Sequence, residues 1–201
     1  SGAEWETNLT YKIQDHPGGI AHALLLGEEF AAGGKVAVLL GDNLFEDSLA
    51  EPVETFARHG SGAWVFLKQV HDPERYGVPV FRGGTIESIV EKPAHPPSPY
   101  GVTGIYFYES DVFSIIRRLK PSARGEIEIT DVNNVYAAQD RLTFRCLKGW
   151  WLDAGTFESL TEANRRLMEE TVNRQGGERD ASSTPQWHHA DWSPGCATKA
   201  P

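Results

Sequence analysis

Two aspartates occupy positions where a metal ion could be held beside a phosphate. The run Val-Ala-Val-Leu-Leu-Gly-Asp-Asn over 36–43 predicts a strand that is buried on both faces and ends at Asp42. Asp153 lies between a tryptophan pair and a Gly-Thr turn that begins a predicted helix. Ligands of open α/β sheets bind beyond the carboxyl ends of strands, and two such carboxylates could share one Mg²⁺. The alternative is local, with Asp42 opening a turn and Asp153 capping a helix.

A second set of side chains could bind a phosphorylated, hydroxylated ligand. Glu91 and Lys92 end a predicted strand, and because side chains alternate faces there, the two do not simply pair with each other. Arg124 lies in a glycine-containing turn before a helix, and a guanidinium can grip a phosphate with two parallel hydrogen bonds. Tyr76 lies in the polar loop 72–77. Alone, each of these features is also typical of a solvated strand end or loop.

A third candidate region precedes the first predicted helix. Pro17-Gly18-Gly19 leads into that helix, whose free backbone amides favour an anion. Gln14 comes just before this turn and could bind the edge of a base through paired hydrogen bonds. A solvated glutamine is the alternative interpretation.

Composition excludes several function classes. The chain has 201 residues, 40% hydrophobic and 23% charged, with a net charge of −9. This acidity argues against non-specific nucleic-acid binding, and no run of roughly 20 apolar residues indicates a membrane span. Cys146 and Cys196 are too few for a disulfide framework and have no metal-ligand spacing. With no signal peptide visible, we expect a cytoplasmic enzyme that engages neither membrane nor nucleic acid.

The predicted elements alternate between strands and helices in the first third of the chain. A strand over 8–14, a helix from Ile20 to Ala31 and the buried strand 36–41 form a β-α-β unit. A helix from Ser48 to about Gly60 and a strand over 63–69 extend it.

The remaining elements include a hairpin. It pairs 79–81 with 85–90, and a strand over 102–108, helices over 111–119 and 128–139 and a strand over 143–148 follow. The last helix begins at Thr156, with Phe157, Leu160, Ala163 and Leu167 predicted to face inward. From about Gly176 to 201 the composition predicts a disordered tail, and its His188, His189 and Cys196 have no convincing metal-binding spacing.

Taken in order, the motifs resemble those of the sugar-1-phosphate nucleotidylyltransferases, most closely the branch that transfers thymidylyl groups to glucose 1-phosphate. The resemblance covers residues 7 to about 175. It rests on Gly-Asp-Asn (41–43), Glu-Arg-Tyr-Gly-Val (74–78), Glu-Lys-Pro (91–93), Val-Thr-Gly (102–104), Ser-Ala-Arg-Gly-Glu-Ile-Glu-Ile-Thr-Asp (122–131) and Trp-Leu-Asp-Ala-Gly-Thr (151–156). It implies a Rossmann-like α/β fold with a mainly parallel central sheet, helices on both faces, and one partial nucleotidyltransferase domain over 1–175.

The resemblance also implies a role for each candidate residue. Asp42 and Asp153 would ligate Mg²⁺, with Asp42 also contacting the nucleotide, while Gln14 and the backbone at Gly19 would bind the thymine or uracil base. The implied glucose site comprises Leu40, Tyr76, Gly77, Glu91 and Val102. Lys92 and Arg124 would hold the sugar phosphate. The phosphate of glucose 1-phosphate would then attack the α-phosphorus of dTTP and expel pyrophosphate.

Two alternatives to this expectation stay open, and the chain departs from the family pattern in one respect. UTP could replace dTTP, since Gln14 could bind either base. The family's opening strand and glycine-rich loop, which binds the triphosphate, have no counterpart here, so we expect an N-terminally truncated chain whose parent protein is a homo-oligomer. The chain could instead be a non-catalytic module that binds a sugar phosphate or a nucleotide.

Overall fold

The computed structural model describes residues 2, 4 and 6–176. The predicted tail, with His188, His189 and Cys196, therefore lies outside the described residues except for Gly176. The helices are α1 (Ile20–Leu25), α2 (Glu28–Ala31), α3 (Ala50–His59), α4 (Val112–Ile116), α5 (Ile129–Ala138) and α6 (Phe157–Gly176). The strands are β1 (Val36–Leu39), β2 (Asn43–Phe45), β3 (Ala63–Gln69), β4 (Gly77–Arg82), β5 (Thr85–Glu91), β6 (Tyr100–Tyr108), β7 (Leu142–Cys146) and β8 (Trp151–Asp153). Among the described helices, none combines the length and apolarity needed to cross a membrane.

The central sheet has four strands in the order β1-β6-β3-β7. β3 and β7 pair in parallel, whereas β6 pairs antiparallel with both β1 and β3. Strands β1, β3 and β7 thus share one direction, but β6 lies reversed among them, so the sheet is mixed rather than mainly parallel as predicted. The chain reaches β6 through the β4–β5 hairpin and a proline-rich link, and antiparallel insertion does not require a helical crossover.

Both faces of this sheet are covered, which confirms the predicted α/β architecture. Side chains of β3 and β6 alternate between two buried clusters, because successive residues of a strand point to opposite faces. One cluster packs Val65 and Tyr106 against α1, α4 and α5. The other packs Phe66 and Phe107 against Phe56 of α3 and the chain around β8.

The predicted burial of the 36–41 strand is wrong. β1 is an edge strand among the described residues, its burial alternates between partial and exposed, and Leu39 is 50% exposed. An aliphatic run specifies a strand without specifying its neighbours, so the same residues fit an edge position beside a cavity. The predicted strand over 8–14 is also absent, and this exposed segment has no regular structure.

The predicted inward face of the last helix is only partly right. Ala163 is buried, but Phe157 is 88% exposed and Leu160 and Leu167 are also exposed. A helical periodicity predicts which residues share a face. It does not predict that a partner covers that face, although α6 does contact β8.

Two small sheets outside the central sheet carry the candidate site. β2 pairs antiparallel with β8, and β4 pairs antiparallel with β5 in the predicted hairpin. The first brings together residues from near positions 43 and 153, and the second ends at Glu91.

Candidate active site

The two predicted metal ligands meet at the β2–β8 sheet. Asn43 lies opposite Asp153 in the strand register, so Asp42 stands one residue from that pair. The Ala154 N–H donates to the Asp42 carbonyl at 2.8 Å. A methyl group at Gly155 would stand 3.0 Å from Asp153 Oδ1 and 3.6 Å from Asp42 Oδ2. Both carboxylates therefore face the same small space, and such a donor set fits a hard cation like Mg²⁺.

Asn43 fixes the orientation of Asp42 through a set of side-chain hydrogen bonds. Its Oδ1 accepts from the Gly104 N–H at 2.7 Å and from the Trp151 indole N–H at 2.8 Å, while its Nδ2 donates to Asp42 Oδ1 at 3.0 Å. A Cβ at Gly104 would lie 2.6 Å from Asn43 Nδ2, so the glycine of Val-Thr-Gly leaves room for this amide. One side chain thereby ties β2, β6 and β8 to the orientation of Asp42.

Glu91 is the half-buried last residue of the β4–β5 hairpin. Gly77 pairs directly with Glu91, and the Thr130 hydroxyl of α5 donates to Glu91 Oε2 at 2.6 Å. A Cβ at Gly77 would lie 3.3 Å from that hydroxyl and 3.5 Å from Glu91 Oε2. The glycine keeps the space above the carboxylate open, and the threonine fixes which oxygen faces away from it.

Arg124 joins this cluster through carboxylates. Its Nε and NH2 donate to Glu128 at 3.3 and 2.8 Å, and NH2 lies 3.9 Å from both Glu91 and Glu126. The hydrogen bond and charge of Glu128 raise the pKa of the Arg124 guanidinium. A bound phosphate would have to displace Glu128 or share the guanidinium with it. Lys92, next to Glu91, is exposed and has a left-handed backbone with φ 44°.

Tyr76 connects the hairpin region to the aspartate region. Its ring meets Trp151 edge-on at 5.3 Å between centroids, and its carbonyl accepts from the Lys92 N–H at 2.9 Å. Burial raises the pKa of Tyr76, and the nearby negative charge of Asp72 adds to that rise. Tyr76 and Asp153 both line a cavity of about 280 Å³, together with Lys68 and Arg166.

Tyr106 is buried in β6. Burial is the main cause of its raised pKa, and the charges of Glu91 and Asp42 add to it.

Gln14 and Gly19 lie together beside a larger cavity of about 960 Å³. Gln14 Nε2 donates to the Gly19 carbonyl at 3.2 Å and lies 3.0 Å from His22 Nδ1. Gly19 has φ 89°, and a Cβ there would lie 2.7 Å from the Ile127 carbonyl, so glycine is required at this turn.

The two remaining predicted residues differ in position. Leu40 lines the 960 Å³ cavity with Gln14 and Gly19, and its N–H donates to the Gly104 carbonyl at 2.9 Å. Val102 is buried in β6, where it pairs with Leu67. The structure thus places Leu40 on the Gln14 side of the site, although the resemblance had assigned it to the glucose side.

Three residues of the site had no role assigned from the sequence. Asn43, Thr130 and Glu128 lie within quoted motifs, yet their side chains act on Asp42, Glu91 and Arg124 rather than on an obvious ligand. Their positions inside the two motifs that contain Asp42 and Arg124 are the sequence signal that could have indicated a role for these three residues.

Known proteins of one family match most of this chain. Residues 1–170 match the family model described as Nucleotidyl transferase. A glucose-1-phosphate thymidylyltransferase of Actinoplanes sp. is 46% identical over 165 residues, which are 81% of this chain and 54% of that protein. The enzyme of the same name from Neisseria meningitidis is 42% identical over 81% of this chain and 58% of its own length. The chain thus spans little more than half the length of these relatives.

Solved structures give the same picture. A Bacillus anthracis protein assigned as a glucose-1-phosphate thymidylyltransferase, in complex with a sucrose, has a TM-score of 0.78 and 51% identity, covering 83% of this chain and 68% of that one. A UDP-glucose pyrophosphorylase complexed with UDP-glucose has a TM-score of 0.71 and 28% identity, covering 80% of this chain and 66% of that one.

Proposed function

The chain belongs to the nucleotidyl transferase family, and from that premise we propose that its parent protein transfers a thymidylyl group from dTTP to glucose 1-phosphate. The observation that carries the proposal is the meeting of Asp42 and Asp153 at Gly155, since this region is connected through Trp151 and Tyr76 to the end of the hairpin at Glu91 and Lys92. A phosphorylated sugar held near Glu91 would place its phosphate toward the aspartate pair.

In the proposed reaction, a phosphate oxygen of glucose 1-phosphate attacks the α-phosphorus of dTTP. A new oxygen–phosphorus bond forms, the α–β phosphoanhydride bond breaks, and pyrophosphate leaves, so the products are dTDP-glucose and pyrophosphate. Lys92 and Arg124 bind the sugar phosphate and lower the repulsion between the two anions. Glu91 accepts hydrogen bonds from sugar hydroxyls, and Thr130 fixes its orientation. Gln14 and the backbone at Gly19 bind the base.

Asp42 and Asp153 are the residues proposed to hold Mg²⁺. When bound, the ion would neutralise phosphate charge and orient the reacting oxygens. The Asn43 side-chain amide donates to Asp42 Oδ1 and so fixes the orientation of the Asp42 carboxylate. Since nucleoside triphosphates are cytoplasmic metabolites, we propose the cytoplasm as the location of this reaction.

UTP is the second candidate nucleotide. It is favoured by the likeness to UDP-glucose pyrophosphorylase and by a glutamine that could bind either base. A unit that binds sugar phosphate without transfer is the third possibility, because the chain spans only part of its relatives.

One assay separates these possibilities. On the full-length parent protein, pyrophosphate release is measured with glucose 1-phosphate, Mg²⁺ and either dTTP or UTP, and glucose 1-phosphate binding is measured by calorimetry on the same sample. Release with dTTP that is lost in Asp42→Asn and Asp153→Asn, but kept in Asp140→Asn, supports the proposal. Asp140 is a matched control because it is exposed and has a left-handed φ of 54° that asparagine accepts. Faster release with UTP would favour uridylyl transfer, and binding without release would favour the non-catalytic unit.

A further inference from the structure

Three side chains with metal-binding chemistry cluster beside the turn that precedes α1. Asp15, His16 and His22 each offer one ligand atom, and these atoms lie within 4.8 Å of one another. His16 Nδ1 lies 2.8 Å from Asp15 Oδ1, and the rings of His16 and His22 are 4.5 Å apart at a tilt of 30°.

The backbone between the two histidines brings their rings together. The Gly18 N–H donates to the His16 carbonyl at 2.8 Å, and the Gly18 carbonyl accepts from the Ile127 N–H at 2.9 Å, which anchors the turn. Gly18 is buried, and a Cβ there would lie 2.5 Å from His22 Nδ1 and 3.1 Å from His16 Nε2. Both rings therefore occupy the space that a side chain at position 18 would need.

We propose that Asp15, His16 and His22 form a binding site for a divalent transition-metal ion of the Zn²⁺ type. Two imidazoles and one carboxylate are a set that such ions accept, with a water molecule as the fourth ligand. Mg²⁺ prefers oxygen ligands alone, so the ion of this site differs from the one proposed for Asp42 and Asp153. Ligand atoms about 2.0–2.2 Å from a zinc ion lie closer together than 4.8 Å, and the exposed Asp15 and His16 side chains can rotate inward.

Metal binding at this site changes the surroundings of Gln14. Gln14 Nε2 now donates to His22 Nδ1 at 3.0 Å. If Nδ1 binds the metal, this hydrogen bond is lost. If Nε2 binds it, the neutral ring carries its proton on Nδ1, and Gln14 must turn its carbonyl oxygen toward that proton. In either case Gln14, which the proposed function assigns to the nucleotide base, adopts a new set of partners.

The test measures metal binding directly, so its outcome does not depend on the proposed function. The 201-residue chain, held in excess Mg²⁺ so that the Asp42–Asp153 region is saturated, is titrated with Zn²⁺ by calorimetry. Histidine ring and glutamine side-chain NMR signals are recorded in parallel. We expect the ring signals of His16 and His22 and the amide signals of Gln14 to shift together. Losing one ligand in His22→Gln or His16→Asn should weaken Zn²⁺ binding by at least about tenfold.

Two control variants separate this site from other histidines. His59→Gln removes an exposed histidine elsewhere in the fold and should leave Zn²⁺ binding unchanged. The double variant His188→Gln, His189→Gln tests the tail and should also leave the His16 and His22 shifts intact. Zn²⁺ binding that survives both His22→Gln and His16→Asn, or that disappears with the tail histidines, would overturn the proposal. A Gln14 signal that stays unmoved while the ring signals shift would overturn its second step.

Discussion

Replacing Asn43 by alanine tests how the aspartate pair is held in place. The substitution removes the oxygen that accepts from the Gly104 N–H at 2.7 Å and from the Trp151 indole N–H at 2.8 Å. Gly104 and Trp151 are buried, so both donors lose a partner that water cannot easily replace. An unsatisfied buried donor costs roughly 1–3 kcal/mol, and for two partly relaxed donors we expect a loss of about 3 kcal/mol. That loss should lower Tm by about 6–12 °C in a chain of this size.

Asn43→Asp is the matched control. It keeps an oxygen where the Gly104 and Trp151 donors need one, but it loses the amide that donates to Asp42 Oδ1 at 3.0 Å. A second carboxylate then lies beside Asp42, and like charges at about 4 Å repel by about 1 kcal/mol in a watery environment. Without Mg²⁺ the expected order of stability is therefore wild type, Asn43→Asp, Asn43→Ala. Added Mg²⁺ should raise Tm more in Asn43→Asp than in Asn43→Ala.

These differences in the free energy of unfolding are measured by urea unfolding followed by tryptophan fluorescence. For variants that change Trp151, circular dichroism replaces fluorescence. Trp151→Phe removes one of the two donors in advance, so Asn43→Ala should cost less in that background. A coupling free energy of about 1 kcal/mol is expected between neighbours that share a hydrogen bond. A loss below about 0.5 kcal/mol for Asn43→Ala, or additive effects of the two substitutions, would refute the role given to this asparagine.

Three further predictions concern other parts of the site. Thr130→Val removes the hydroxyl that donates to Glu91 at 2.6 Å, and hydrogen bonds to charged groups contribute about 1.5–3 kcal/mol. Calorimetry should therefore show glucose 1-phosphate binding weakened about tenfold. The control Thr130→Ser keeps a hydroxyl and should bind glucose 1-phosphate nearly as the wild type does. Lys68→Met leaves the carbonyls of 147–149 without their ammonium donor and should lower the urea-derived unfolding free energy by about 1–3 kcal/mol; an unchanged value would contradict this role. Leu39 is half-exposed on the edge strand β1, so Leu39→Lys should reduce any self-association seen by sedimentation velocity at high concentration, and equal association in both proteins would exclude this edge as the contact.

Local sequence patterns predicted most of the elements, because each depends on nearby residues. The run 63–69 and the hairpin around 82–84 appear where the pattern placed them. The segment 8–14 alternates in polarity as a strand does, yet among the described residues it has no strand to pair with. Polarity alternation is necessary for a half-buried strand, but pairing decides whether one forms.

The candidate site depends on contacts between residues that are far apart in the sequence. Asp42 and Asp153 are brought together by a short sheet between distant parts of the chain, and nothing local to either residue predicts that contact. The ordered motifs predicted it through the family resemblance. The supporting role of Asn43 required the structure, since its hydrogen bonds reach β6 and β8 at once.

Polar contacts add to core packing in setting the geometry of the aspartate pair, since Trp151 of β8 and Phe45 of β2 already pack in the second buried cluster. Each strand has three residues, and an isolated two-stranded sheet is only marginally stable in water. Polar side chains also fix its position: Asp47 accepts from the Lys148 and Gly149 amides at 3.0 and 2.8 Å, and Glu46 accepts from the Trp150 amide at 3.1 Å.

These contacts lie in the exposed or half-buried segments 46–47 and 148–150, beside the second buried cluster. Substitutions there should therefore alter the spacing of Asp42 and Asp153 while most of the core packing persists. In this protein, ligand binding and turnover should accordingly be lost at smaller perturbations of the 46–47 and 148–150 segments than are needed to unfold the central sheet, because small local displacements suffice to spoil a two-carboxylate site.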